Sequence, residues 1–194
     1  MGTTLVPRMA LRSSLARSPW PVWFAFALSG AAALLYEVVW TRLLALDTGH
    51  GLAAASTVLA AFMGGLAVGS AAGGRLGQQM TRTAALRAYA LLEAGIGLFA
   101  LAVPWLLAGA RPVLGALYDD GHGGLAYGTV RMIASLALLG LPAAAMGATF
   151  PLASRWAGHT PDTMARDAAR LYTANTLGAT IGAVAAGFLL LPAL

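Results

Sequence analysis

Residues 20–46, WPVWFAFALSGAAALLYEVVWTRLLAL, carry only two charges, Glu37 and Arg42. Roughly 20 apolar residues of helix cross a hydrocarbon layer about 30 Å thick, so this stretch is long enough to span a bilayer. Four more stretches qualify, at about 51–74, 84–109, 125–153 and 171–194. A bilayer offers no water to unpaired backbone groups, so a spanning segment is either a helix or a strand of a closed barrel. Length, and the lack of apolar/polar alternation, select helices. The expected fold is an all-α, polytopic transmembrane bundle of five helices. It forms one domain over residues 20–194, preceded by a basic tail over residues 1–19.

Composition agrees with a membrane protein: 59% of the 194 residues are hydrophobic and 10% are charged, outside the usual range of soluble domains. All 12 basic residues are arginines, and there is no cysteine, so disulfides and thiolate metal centres are excluded. The net charge of +5 does not point to nucleic acid, because no basic face carries aromatic platforms. The arginines fall between the apolar runs, where they set topology. Arg8, Arg12 and Arg17 precede the first run, Arg75, Arg82 and Arg87 follow the second, and Arg155, Arg166 and Arg170 follow the fourth. The other side holds Asp47, Asp119 and Asp120 against Arg111. The expected placement is a bacterial inner membrane, with the N-terminus cytoplasmic and the C-terminus outward.

Two features of the N-terminus bear on this placement. LVPR at residues 5–8 resembles a protease-recognition remnant, so the first residues are left out of the fold reading. A cleaved signal ending near Ala33 is a rival reading, but the apolar run continues past it, as in an uncleaved anchor.

Small residues recur at intervals of four. Thr57, Ala61, Gly65, Gly69 and Gly73 mark the second span, and Ala174, Gly178, Gly182 and Ala186 the fifth. That spacing stacks them on one helix face, where a neighbouring backbone can approach closely. The fourth span contains Gly140, Pro142, Gly147 and Pro151. Pro142 has no N–H for the Leu138 carbonyl, which predicts a kink or a loosened turn.

A carboxyl at membrane depth costs at least about 2.5 kcal/mol on insertion scales, which singles out Glu37 and Glu93. Tyr36, Trp40 and Thr41 lie beside Glu37. Arg42 is turned roughly 140° away from it on the helix, a poor position for an ion pair. Arg42 is instead placed to snorkel outward or to meet Asp47. Glu37 therefore looks to other helices, where Thr149, Tyr172, Asn175 and Arg131 are the polar candidates. One reading makes it an interhelical clamp. The other joins Glu37 and Glu93 in an electronegative pocket for a cation, with Tyr36 or Trp40 presenting a ring face.

Asp47, His50, Asp119, Asp120 and His122 have oxygen and imidazole donors of the kind a divalent metal takes. They lack diagnostic spacing, and YDDGHGG reads as a solvated loop, so no metal is assigned. His159 stands apart from them. No nucleotide-binding glycine loop, nucleophile elbow or zinc-type histidine pair is present. No cofactor and no catalytic residue are expected.

SGAAALLYEVVWTRLL, STVLAAFMGGLAVGSAAGGRL, LLEAGIGLFAL, PAAAMGATFPL and LYTANTLGATIGAVAAGFLLLPAL, taken in order, resemble the N-terminal membrane region of spermidine synthase-like fused membrane proteins. The resemblance implies a bundle like an incomplete half of a major facilitator fold, normally joined to an aminopropyltransferase-like domain. By it, Tyr36, Glu37, Trp40, Thr41 and Arg42 match the first-helix motif and Glu93 the third-helix acid. Met146 to Pro151 match the fourth-helix motif, and Tyr172, Asn175, Thr176 and Gly178 the fifth.

The implied function is a transporter-like or substrate-handling membrane module for a small cationic metabolite such as a polyamine. The alternative is a non-catalytic structural subunit of a larger membrane complex. The chain reads GRLGQQ where transporter-like relatives read GRLADR, so a charge-based latch is not expected there. It also stops after five spans, which suggests a fragment, a homo-oligomer, or a need for a partner subunit or a soluble aminopropyltransferase-like domain.

Overall fold

The computed structural model describes residues 20–48, 52–116, 125–158 and 161–193. Six α-helices follow one another, and among the described residues there is no strand. They are α1 (Trp20–Thr48), α2 (Leu52–Gln79), α3 (Arg82–Ala116), α4 (Leu125–Ser135), α5 (Leu141–Ala157) and α6 (Pro161–Ala185). Five stretches are long and apolar enough to cross a membrane: Trp20–Arg42, Ser56–Gln79, Arg82–Gly109, Gly128–Ala157 and Met164–Leu190. The architecture is an all-α, multi-pass one.

α4 and α5 share a span and are joined by a π-helical turn, Leu136–Gly140. Pro142 follows just after this turn and cannot donate to the Leu138 carbonyl, so the widened turn stands where the ordinary ladder is broken. The same local sequence logic recurs at the end of the chain. A second π-helical turn, Ala186–Leu190, precedes Pro192 in the short 3₁₀ turn Leu191–Ala193.

The helix of the fifth span, α6, departs from expectation. It begins at Pro161, whereas the sequence alone starts the span at residue 171 and the apolar stretch itself begins at Met164. Arg166, Asp167 and Arg170 lower the local hydropathy of its first turns, so the apolar run reads as starting after them. Pro161 suits a first helical position, and MARDAAR is rich in strong helix formers. α3 likewise runs on to Ala116, past the expected end at 109.

α1 packs chiefly against α6 and α2 against α5, while α3 lies on α5. Both main crossings are made by glycines against backbone. A Cβ on Gly69 would collide with the Ala144 carbonyl, and one on Gly147 with that of Leu66. On the other pair, Gly178 meets the Ala27 backbone and Gly182 that of Ala31, and Gly30 lies against Asn175.

Two apolar clusters fill the interior. One gathers Phe26, Ala85, Tyr89, Leu152, Ala153, Ala157 and Leu171. The other gathers Trp40, Val58, Phe62, Ile96, Val103, Leu107, Leu139 and Met146 with their neighbours. The first lies toward the end of the bundle where Arg82 reaches Trp156, Arg155 reaches Met80 and Arg170 lies over Trp23.

Outward-facing positions are apolar as well: Leu91 is 73% exposed, Trp105 74% and Phe188 78%. In water such a surface would aggregate, whereas against acyl chains it is the solvated face of the bundle.

Candidate functional site

The two acids are separated. Glu93 lies about 16 Å along α3 from Arg82 at helical rise, well inside its span. Its Oε1 accepts a hydrogen bond of 2.6 Å from Ser29 Oγ on α1. Tyr89, one turn earlier on α3, also hydrogen-bonds the Glu93 side chain. Tyr89 belongs to one apolar cluster and Ile96 to the other, so Glu93 forms a polar layer between two dry cores. Two hydroxyls there replace part of the hydration the carboxyl gives up, and the bond from Ser29 ties α3 to α1.

Ser29→Ala should destabilise the bundle by about 1 kcal/mol, since it leaves a half-buried acceptor short of a partner. In the Glu93→Gln background the same change should do less. Thermal melts of the four proteins in mild detergent measure the coupling.

Glu37 lies two turns beyond Ser29 on α1 and points elsewhere. It lines an open groove with Leu34, Val38, Thr41, Arg42 and Leu191. This places it within about 8 Å of the Arg42 end of its span at helical rise, so Glu37 is the shallower acid. Glu37 and Arg42 share the groove without forming an ion pair, as the angular offset between them requires. Among the described residues Glu37 has no hydrogen-bond partner.

The aromatic neighbours face away from this groove. Tyr36 stacks on Trp40 at 5.1 Å between ring centroids, and Trp40 meets Phe99 of α3 edge-on at 6.0 Å. Trp40 is only 3% exposed, so its ring belongs to the core and is not free for a cation beside Glu37. On a helical wheel Ser29, Tyr36 and Trp40 form the α3-facing stripe of α1, and Gly30 turns toward α6.

The remaining candidates do not converge on Glu37. Thr149 is buried, and its hydroxyl donates to the Met146 carbonyl of its own helix at 2.6 Å. Tyr172 is 62% exposed and packs edge-on against Phe150. Asn175 lies at the α1/α6 crossing beside Gly30, about 10 Å from Glu37 along the axis. A single pocket holding all these side chains is therefore not what the fold builds. The side chains of Arg131, Asp47, His50, Asp119, Asp120, His122 and His159 lie outside the described residues, as do residues 1–19.

A second polar arrangement, at the arginine-rich end, escapes a topological count of charges. Arg82 donates from Nε and a terminal nitrogen to the Trp156 carbonyl, at 2.9 and 2.5 Å. Arg155 donates from Nε to the Met80 carbonyl at 3.2 Å. Each guanidinium thus covers carbonyls at the C-terminal end of the other corner's helix, where the ladder leaves acceptors unpaired. The available signal was position, since Arg82 opens α3 and Arg155 stands in the last turn of α5.

Compared with protein-family models, curated proteins and solved structures, the chain matches none.

Proposed function

We propose that this chain is the membrane module of a spermidine synthase-like protein. It handles a small cationic metabolite of the polyamine class, with Glu37 as the anionic contact. The observation that carries this reading is a carboxyl that has no donor among the described residues, in a groove otherwise walled by Leu34, Val38 and Leu191, with Thr41 and Arg42 at its edge. An intramembrane acid left in that state wants a cation or another chain beside it. The ordered motifs around Glu37, Glu93 and Gly178 supply the polyamine class.

The groove is open on one side, so a second copy of the chain, another membrane subunit or an aminopropyltransferase-like domain completes it. The arginine-rich end faces the cytoplasm of a bacterial inner membrane and the Glu37 groove opens toward the outer side, in keeping with the positive-inside tendency.

Spermidine added to the purified chain in neutral detergent should raise its melting temperature. Glu37→Gln should abolish that rise while leaving the melt without spermidine within about 0.5 kcal/mol of the parent, as for a surface change. An unchanged spermidine response in the variant sinks the assignment.

A second reading, a non-catalytic subunit of a larger complex, is favoured by the locking of Glu93 onto Ser29 and by glycine-mediated crossings on both helix pairs. Under it, Glu37→Gln changes the mass of the complex recovered in mild detergent and leaves spermidine without effect on either protein.

A further inference from the structure

At the arginine-rich end, beyond the glycine crossing of α1 and α6, a groove is lined by Trp23, Arg166, Arg170, Thr173 and Leu177. Arg166 and Arg170 stand one helical turn apart on the same face, a like-charge pairing that an isolated helix disfavours. Asp167 offsets them only in part, lying 3.9 Å from Arg170. The Arg170 guanidinium lies 5.4 Å from the centre of the Trp23 ring. The hydroxyl of Thr173 is already used, donating to the Ala169 carbonyl. Below the arginines the wall becomes apolar at Leu177, and one residue further Gly178 meets Ala27, which bounds the groove.

Depth identifies the occupant. Trp23 lies in the first turn of the span that starts at Trp20, and Arg166 and Arg170 in the first two turns of the span that starts at Met164. That is headgroup level, where tryptophan and arginine collect. Two guanidinium groups at that level, with one surplus positive charge after Asp167 is counted, above an apolar channel open to the acyl region, match a phosphodiester carrying fatty chains. A free anion would make no use of the Leu177 wall.

We infer that the α1/α6 groove is a binding site for an anionic phospholipid, with its phosphate between Arg166 and Arg170 and a chain along Leu177. The site is separate from the Glu37 groove and does not depend on the function proposed there. Arg82 and Arg155, engaged with carbonyls, do not contribute to it.

The test is native mass spectrometry of the full chain in neutral detergent with phosphatidylglycerol or phosphatidylcholine of identical chains. Phosphatidylglycerol should be retained with a preference on the order of tenfold. That preference should vanish in the Arg166→Gln/Arg170→Gln double variant and persist in Arg75→Gln/Arg87→Gln, which removes two exposed arginines outside the groove. Size-exclusion profiles establish that both variants are folded. Equal retention of the two lipids overturns the inference, as does an equal loss in both variants, which would show diffuse attraction. Displacement of phosphatidylglycerol by millimolar inorganic phosphate overturns it in favour of a free-anion site.

Discussion

Gly69→Leu should abolish the folded, monodisperse form of the protein in mild detergent. The α-carbon of Gly69 faces the Ala144 backbone, and the neighbouring contact is reciprocal, with Gly147 against Leu66. Overpacking in cores costs about 1–3 kcal/mol when side chains can shift. Here the obstacle is a carbonyl of the facing helix, so α2 and α5 must part along their whole crossing, and a loss above about 3 kcal/mol is expected. Gly74→Leu is the matched control, because a Cβ at Gly74 meets nothing within 4 Å. On helix propensity alone it should stabilise by up to about 1 kcal/mol. Equal melting temperatures for the two variants would show that the α2/α5 approach is not what holds the bundle.

Hydropathy made the five crossings legible because transfer into hydrocarbon is a sum over local residues. Pro142 likewise announced a break through its own missing N–H, and the chain answers with the turn at Leu136–Gly140. Partner choice is not local in this sense. A helical wheel places Ser29, Tyr36 and Trp40 on one stripe of α1, but it does not say that α3 covers that stripe. Without that fact Trp40 looks available to a ligand, while in the fold it is enclosed by Phe99 and Tyr36.

The two acids show the same limit. Glu37 draws attention through its neighbours, yet Glu93 is the deeper one. Its partner is a serine whose role depends on α1 meeting α3. The start of α6 was missed for a different reason: a hydropathy window measures lipid solubility, and helix formation continues past it wherever alanine and arginine predominate.

The arginines at the basic end carry a further expected loss of stability. α2 ends at Gln79 and α5 at Ala157, so each leaves carbonyls without intrahelical donors at the negative end of its dipole. Arg82 and Arg155 supply both charge and directed N–H groups there, each crossing to the other corner. Hydrogen bonds from charged donors contribute about 1.5–3 kcal/mol each, and partial exposure of both side chains sets the lower half of that range. Arg82→Ala should therefore melt measurably below the parent protein. Arg82→Lys should recover only part of the difference, since a lysine offers a point charge in place of the guanidinium's fork. The Arg82→Ala/Arg155→Ala double variant should lose less than the two single losses added. Either tether holds the same pair of corners in register for the other, so each single change already forfeits their mutual support. Strict additivity would mean that the two arginines cap their helices independently. Single variants within about 0.5 kcal/mol of the parent would reduce them to topological charges, with the corner held by the apolar cluster of Ala85, Leu152 and Ala157 alone.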